Sequence, residues 1–202
     1  MARKAGSHAE ITGPAIQDAA LKLFARSGYA AVSMREIAAE VGVRAGALYL
    51  YTPDKQTLLF DMMRDHLLAL DAAWDKARGG TTPPERLRVF VDFHVEYHFD
   101  LRDKVFISYM ELRNLTDENF RVIQKLRRDY ESELEQILAD GLVTGDFHFE
   151  DVSVTTRAML AMLLGYITWF RGGGRLGKED IKRMHWDLAR ATVRLWAGTA
   201  TR

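Results

Sequence analysis

All four prolines of this chain lie in its first 84 residues, at Pro14, Pro53, Pro83 and Pro84, and none follows. Proline has no backbone N–H and breaks a helix from within. The long remainder is therefore free to be helical, and apolar residues recur through it at the three- and four-residue spacing of one helix face. Alternation at period two over a strand's length is scarce. Only Phe147–Phe149 reads as extended, as a link between two helices. The chain is read as all-α, with about nine helices.

Composition narrows the function classes. Hydrophobic residues make up 48% of the 202, which excludes disorder along the whole chain. Formal net charge is zero, so bulk charge gives no attraction to phosphate and a generally polybasic protein is excluded. Cysteine is absent. Disulfides, cysteine-ligated zinc and thiol catalysis fall with it. Arg3 and Lys4 are followed by Gly6, Ser7, His8 and Glu10 rather than an apolar run, unlike a secretory signal. Ala158–Phe170 is the most apolar stretch and is shorter than the about 20 residues a bilayer needs. A cytoplasmic protein without a membrane partner is expected.

The first helix is expected over Thr12–Ser27, with Thr12 as N-cap and Ile16, Ala19, Ala20, Leu23 and Phe24 on one face. Ser33 with Glu36 three positions on predicts a capping box for a short second helix, which Gly42 ends. A third follows almost at once, over Arg44–Tyr51. Two short helices about a glycine turn have the shape of a helix-turn-helix. Pro53 stops the third and Asp54 caps the next, Lys55–Arg78. Gly79 to Pro84 reads as a loop, then helices over Glu85–Asp100, Asp103–Arg113, Thr116–Leu142, Asp151–Phe170 and Lys178–Ala197. In the fifth, Leu87, Phe90, Val91, His94, Tyr97, His98 and Leu101 share a face. Expected domains are 1–54 and 55–202.

Helix N-terminal side chains reach base edges in the major groove. Arg44 on the third helix and Arg35 on the second are the candidates for bidentate contact with guanine. Ala45, Gly46 and Ala47 are small enough for close approach to DNA. Ser33, with the N–H groups that open the second helix, is a candidate phosphate site. Residues 1–55 carry a net charge of +2, the remainder −2. The sign suits DNA and the size is small.

Ile16 to Leu59 reads IQDAALKLFARSGYAAVSMREIAAEVGVRAGALYLYTPDKQTLL. This resembles the N-terminal domain of the TetR family of bacterial transcriptional repressors. The matching features are Ala19-Ala20, Leu23-Phe24, Gly28-Tyr29, Ser33-Met34, Ile37-Ala38, Val41-Gly42-Val43, Gly46, Leu48-Tyr49, Tyr51 and Lys55 with Leu58. The chain departs at Thr52, where the family favours Phe, and at Arg44, where Ser or Thr is common. The resemblance implies phosphate contacts from Tyr49, Tyr51 and Lys55. It also implies a double-stranded operator as partner, a homodimer, and a small-molecule effector held in the C-terminal domain. No cofactor, no catalytic residue and no metal are expected.

By the same resemblance, the last two helices form the dimer interface, with Met159, Leu163, Tyr166, Ile167, Phe170, Leu188 and Leu195. The all-round apolar character of Met159–Phe170 supports this; burial inside one subunit is the alternative. Effector candidates are Phe90, Phe93, His94, Tyr97, Phe106, Tyr109, Met110, Tyr130 and Trp169, whose aromatic and flexible walls suit an apolar or amphipathic molecule. An aromatic stripe at helical spacing also reads as plain core. Trp169-Phe170-Arg171 before Gly172-Gly173-Gly174-Arg175 resembles family members that sense acyl-CoA thioesters. Arg171 and Arg175 would then face phosphates; a helix end with favourable arginines reads equally well.

Three other signals weigh less. His94 and His98 are spaced for a metal, with Glu111 as a third ligand, but without the H-E-x-x-H order. Gly172 to Lys178 fits a phosphate loop except that Glu179 stands where Ser or Thr is needed. No nucleophile elbow or dinucleotide fingerprint is present, so an enzyme is not expected. The alternative reading is a helical adaptor or ligand-binding protein without DNA readout.

Overall fold

The computed structural model describes residues 6–170 and 174–194, with side chains from residue 12 onward. Arg171 and Leu195 lie outside the described residues, and so do the expectations placed on them. Among the described residues there are nine α-helices and no strands: α1 (Gly6–Ser27), α2 (Met34–Val41), α3 (Ala45–Leu48), α4 (Lys55–Ala77), α5 (Pro83–Phe99), α6 (Arg102–Met110), α7 (Asp117–Thr144), α8 (Val152–Gly165) and α9 (Lys178–Thr192). Two 3₁₀ turns, Leu112–Asn114 and Tyr166–Thr168, follow α6 and α8. No helix of the described residues is long and apolar enough to cross a membrane.

The chain divides into two compact units. One holds residues 1–68 and 103–125, the other 69–102 and 126–202. In the first, α1 buries Ile16, Ala20, Leu23 and Phe24 against α2, whose Ile37 and Ala38 are sealed. The Ser33 capping box forms as expected, and the α2 C-cap is Gly42 at φ 77. That left-handed turn suits glycine. It redirects the chain into α3.

Several ends differ from expectation. α1 begins before Thr12 and runs through Pro14. The missing N–H there costs one helical bond without stopping the helix. α3 is one turn, with Arg44 as its N-cap and Tyr49 already at its C-cap. Pro83 and Pro84 open α5 rather than precede it. The first helical N–H groups have no partner within a helix, so proline loses nothing at that place.

In the second unit α5 packs on α8 and α9, which also pack on each other. Trp74 meets Phe90 edge-on at 5.1 Å and Phe93 at 5.3 Å. Phe90, His94 and Tyr130 stack mutually, with centroids 5.4 to 5.8 Å apart. The His94 ring nitrogen Nδ1 lies 2.9 Å from the Tyr130 hydroxyl. His98 Nδ1 bonds the His94 carbonyl at 2.8 Å. Burial pushes the His98 imidazole down to about 4, against the upward pull of that bond. At α7, Gly141 lies so close to Phe147 that an added Cβ would stand 1.9 Å from the ring.

Two outcomes follow from this core. Gly141→Ala should destabilise the protein by about 2 kcal/mol, overpacking outweighing the gain in helix propensity; urea unfolding measures it. His98 is neutral when folded at a pH where the unfolded chain already binds a proton. Stability should therefore fall by about 3 kcal/mol as pH drops from the ordinary histidine value to about 4. Unfolding curves of His98→Asn over that range should slope less steeply than those of the unsubstituted protein.

Candidate nucleic-acid interface

The reading head is α2, its turn and α3, held on α1. A four-residue helix has no stability of its own. Leu48 anchors α3 by complete burial, and its carbonyl accepts both the Tyr51 and the Thr52 N–H. With Leu48 inward, the neighbouring positions turn outward. Tyr49 is 54% and Leu50 84% exposed, and Tyr51 also faces solvent. Arg44 and Arg35 are exposed, while Ala45 and Ala47 are half-buried. Thr52 is buried, its hydroxyl on the Asp54 carbonyl at 3.1 Å. It lines an open cleft of about 270 Å³ with Pro14, Ile16, Tyr51 and Leu58.

Two of the sequence-derived phosphate contacts are already engaged inside the chain. The Ser33 hydroxyl donates to Glu36 Oε2 at 2.8 Å and accepts the Glu36 N–H at 3.3 Å. The Ser33 N–H also donates to that carboxylate, at 2.7 Å. These bonds hold the Glu36 carboxyl below its ordinary value. The helix start expected to receive a phosphate is thus occupied by the chain's own anion, and Ser33 is a cap rather than a free donor. Lys55 Nζ donates to the Tyr29 carbonyl at 2.8 Å and to the Val32 carbonyl at 2.7 Å, and lies 4.2 Å over the Tyr29 ring. It ties the α1–α2 turn to α4, leaving one N–H for anything else. Sequence gave no sign of this, because its partners lie 23 and 26 positions away.

The effector candidates are divided between the two units. Phe90, His94 and Tyr130 form the buried stack, with Phe93 and Tyr97 half-buried beside them. Trp74, which the sequence reading missed, joins this cluster and donates Nε1–H to Glu133 at 3.0 Å. It also walls a cavity of about 260 Å³ with Arg78, Arg86, Glu133 and Ile137. Phe106, Tyr109 and Met110 belong to the other unit, half-buried at Phe106 and exposed at the other two. Trp169 is exposed. Glu111, weighed as a metal ligand beside His94 and His98, belongs to the first unit and they to the second.

Three dimer candidates have almost no exposed surface, and two more keep little. Met159, Leu163 and Tyr166 have at most 1% of their surface exposed, and Ile167 and Phe170 are buried too. The first three have no surface to offer a partner, while Ile167 keeps 8% and Phe170 7%. The Tyr166 hydroxyl instead donates to the Val95 carbonyl, and Phe170 packs on Phe99 at 5.0 Å. Burial inside one subunit, the alternative reading, accounts for Met159, Leu163 and Tyr166. Leu188 remains exposed.

Similarity to known proteins agrees with this geometry. The model of bacterial regulatory proteins of the tetR family matches residues 16–62. That of the tetracyclin repressor-like C-terminal domain matches residues 80–193. The TetR-family transcriptional regulator PfmR of Thermus thermophilus is 32% identical, with a TM-score of 0.78 over 92% of this chain and 99% of that one. AibR, solved in complex with isovaleryl coenzyme A and operator DNA, is 26% identical, with a TM-score of 0.80 over 88% of this chain and 97% of its own. The HTH-type transcriptional repressor KstR2 of Mycolicibacterium smegmatis is 24% identical over 169 residues, 82% of each chain. The C-terminal match alone spans more than half of the sequence, and with the helix-turn-helix at its other end it makes this chain a member of the TetR family of bacterial transcriptional regulators.

Proposed function

We propose that the chain is a homodimeric repressor that reads a near-palindromic operator and answers to a small amphipathic effector. The observation that carries this reading is the N-terminus of α3. Arg44 is exposed there in extended backbone, without a side-chain cap. Side chains at that end of a recognition helix meet base edges. Arg44 and Arg35 read guanine, with Ala45 and Ala47 allowing close approach. Tyr49 and Tyr51 contact phosphates, and Lys55 adds at most its remaining N–H. Residues 1–54 are the DNA-binding domain and 55–202 hold the effector and the dimer contacts. The protein acts in the cytoplasm, on double-stranded DNA, without catalysis.

For the dimer, the exposed side of α8 replaces the buried one. Val154, Ala158 and Ala161 are exposed at helical spacing, and Leu188 is exposed on α9. Small and aliphatic residues in such a stripe let two copies approach closely. For the effector, the stacked aromatic cluster supplies the apolar wall. AibR binds isovaleryl coenzyme A, and an acyl-CoA thioester suits such a wall through its acyl group and Arg171 and Arg175 through its phosphates. It regulates by binding the two conformations of the dimer unequally.

Selection from random duplexes, followed by sequencing of those retained, tests the DNA reading. A two-fold-symmetric motif is expected, and no enrichment at low salt would refute it. Arg44→Ala should lose about 1–3 kcal/mol of discrimination at one base of each half-site. An unchanged motif in that variant would remove Arg44 from base reading. Leu188→Glu should shift the sedimentation of the protein from dimer to monomer. Isovaleryl coenzyme A, titrated into the operator complex, should lower its apparent affinity.

A further inference from the structure

Glu111 is a buried acidic residue, with 6% of its surface exposed. Its Oε1 accepts the Tyr29 N–H at 3.1 Å, across 82 positions of sequence. Its Oε2 accepts Asn114 Nδ2. The Asn114 carbonyl in turn accepts Gln56 Nε2 at 2.7 Å, and that same amide reaches the Tyr29 hydroxyl at 3.4 Å. Gln56 Oε1 accepts the Thr116 N–H at 3.2 Å and Asn119 Nδ2 at 3.4 Å. The bonds close a ring from Tyr29 through Glu111, Asn114 and Gln56 back to Tyr29. Every member lies in one compact unit.

The backbone is thus held at the two successive peptide groups that flank the Tyr29 Cα, the N–H of the first by Glu111 and the carbonyl of the second by Lys55. It stands four residues before Ser33, the N-cap of α2. A rigid turn at Tyr29 sets the angle at which α2 leaves α1, and α3 follows α2 through the Gly42 turn. A buried carboxylate is costly unless its oxygens are bonded. The arrangement therefore has a definite set position, and it is lost once Glu111 retreats beyond hydrogen-bond reach.

We propose that Glu111 is a positioning residue for DNA reading: its carboxylate fastens the α1–α2 turn to the segment from α6 to α7, and so sets the angle of the reading head. This deepens the DNA-binding reading above and rests on it.

The test uses Glu111→Ala and Glu111→Gln in the full chain, the duplex selected by the unsubstituted protein, and hydrogen exchange at the Tyr29 amide. Glu111→Ala should weaken duplex binding about tenfold and speed Tyr29 exchange, because a part-buried donor loses its acceptor. Glu111→Gln keeps an acceptor and should stay within about threefold of the unsubstituted protein. A lower melting temperature with the folded fraction binding as before would overturn the proposal, since that is a structural role alone. So would unchanged Tyr29 exchange. Should Glu111→Ala fail to fold, Asn114→Ala takes its place and must show the same two changes. If the unsubstituted protein retains no duplex, the DNA reading fails separately, and Tyr29 exchange decides the latch.

Discussion

A one-turn helix is held only by what it buries, so the reading head depends on Leu48. Its side chain is sealed, and its carbonyl takes two N–H groups from the turn that follows. The exposure of Tyr49, Leu50 and Tyr51 is the geometric consequence. α2 depends in the same way on Ile37 and Ala38 against α1. Neither short helix would persist in isolation, where a helix under about 12 residues is marginal. The surface proposed to read DNA is the outward side of a small core.

Electrostatics at helix ends sorts the anions. Glu36, Glu85, Asp151 and Asp180 each accept backbone N–H groups at the start of α2, α5, α8 and α9. Helix N-termini favour negative charge, and these four are satisfied within the chain. The start of α3 differs. Its N-cap is Arg44, a cation in extended backbone with no capping bond. The reading head thus presents an uncapped start and a guanidinium together. With a net charge of only +2 over residues 1–55, placement of charge rather than its amount has to supply affinity for DNA.

Local signals were legible in the sequence, and distant partnerships were not. The Ser33–Glu36 box, the Gly42 turn and the Asp54 cap of α4 each depend on residues within four positions, and each forms. Pro83 and Pro84 misled because proline both ends and opens helices. Met159, Leu163 and Tyr166 misled for another reason. A helix that is apolar all round must be buried, but its pattern does not say whether its own subunit or a partner covers it; here α5 and α9 do. Ser33, Lys55 and Glu111 are polar residues whose usual fate is solvent or ligand. Their partners are set by the fold, at separations up to 82 positions.

The engagement of Lys55 changes what a charge means in the reading head. A lysine that binds phosphate through a loose side chain adds a fixed increment of affinity and of salt dependence. A lysine whose ammonium already bonds two carbonyls is pre-positioned, and it also holds the Tyr29 turn closed from the side opposite Glu111. Lys55 and Glu111 then act with opposite charges on the two peptide groups that flank Tyr29, the cation on a carbonyl and the anion on an N–H. Removing Glu111 leaves the part-buried Tyr29 N–H without this acceptor, whereas without Lys55 the Tyr29 carbonyl still accepts the Val32 N–H at 3.3 Å. The two effects must be coupled, because both pass through the backbone of Tyr29, and coupled residues do not add.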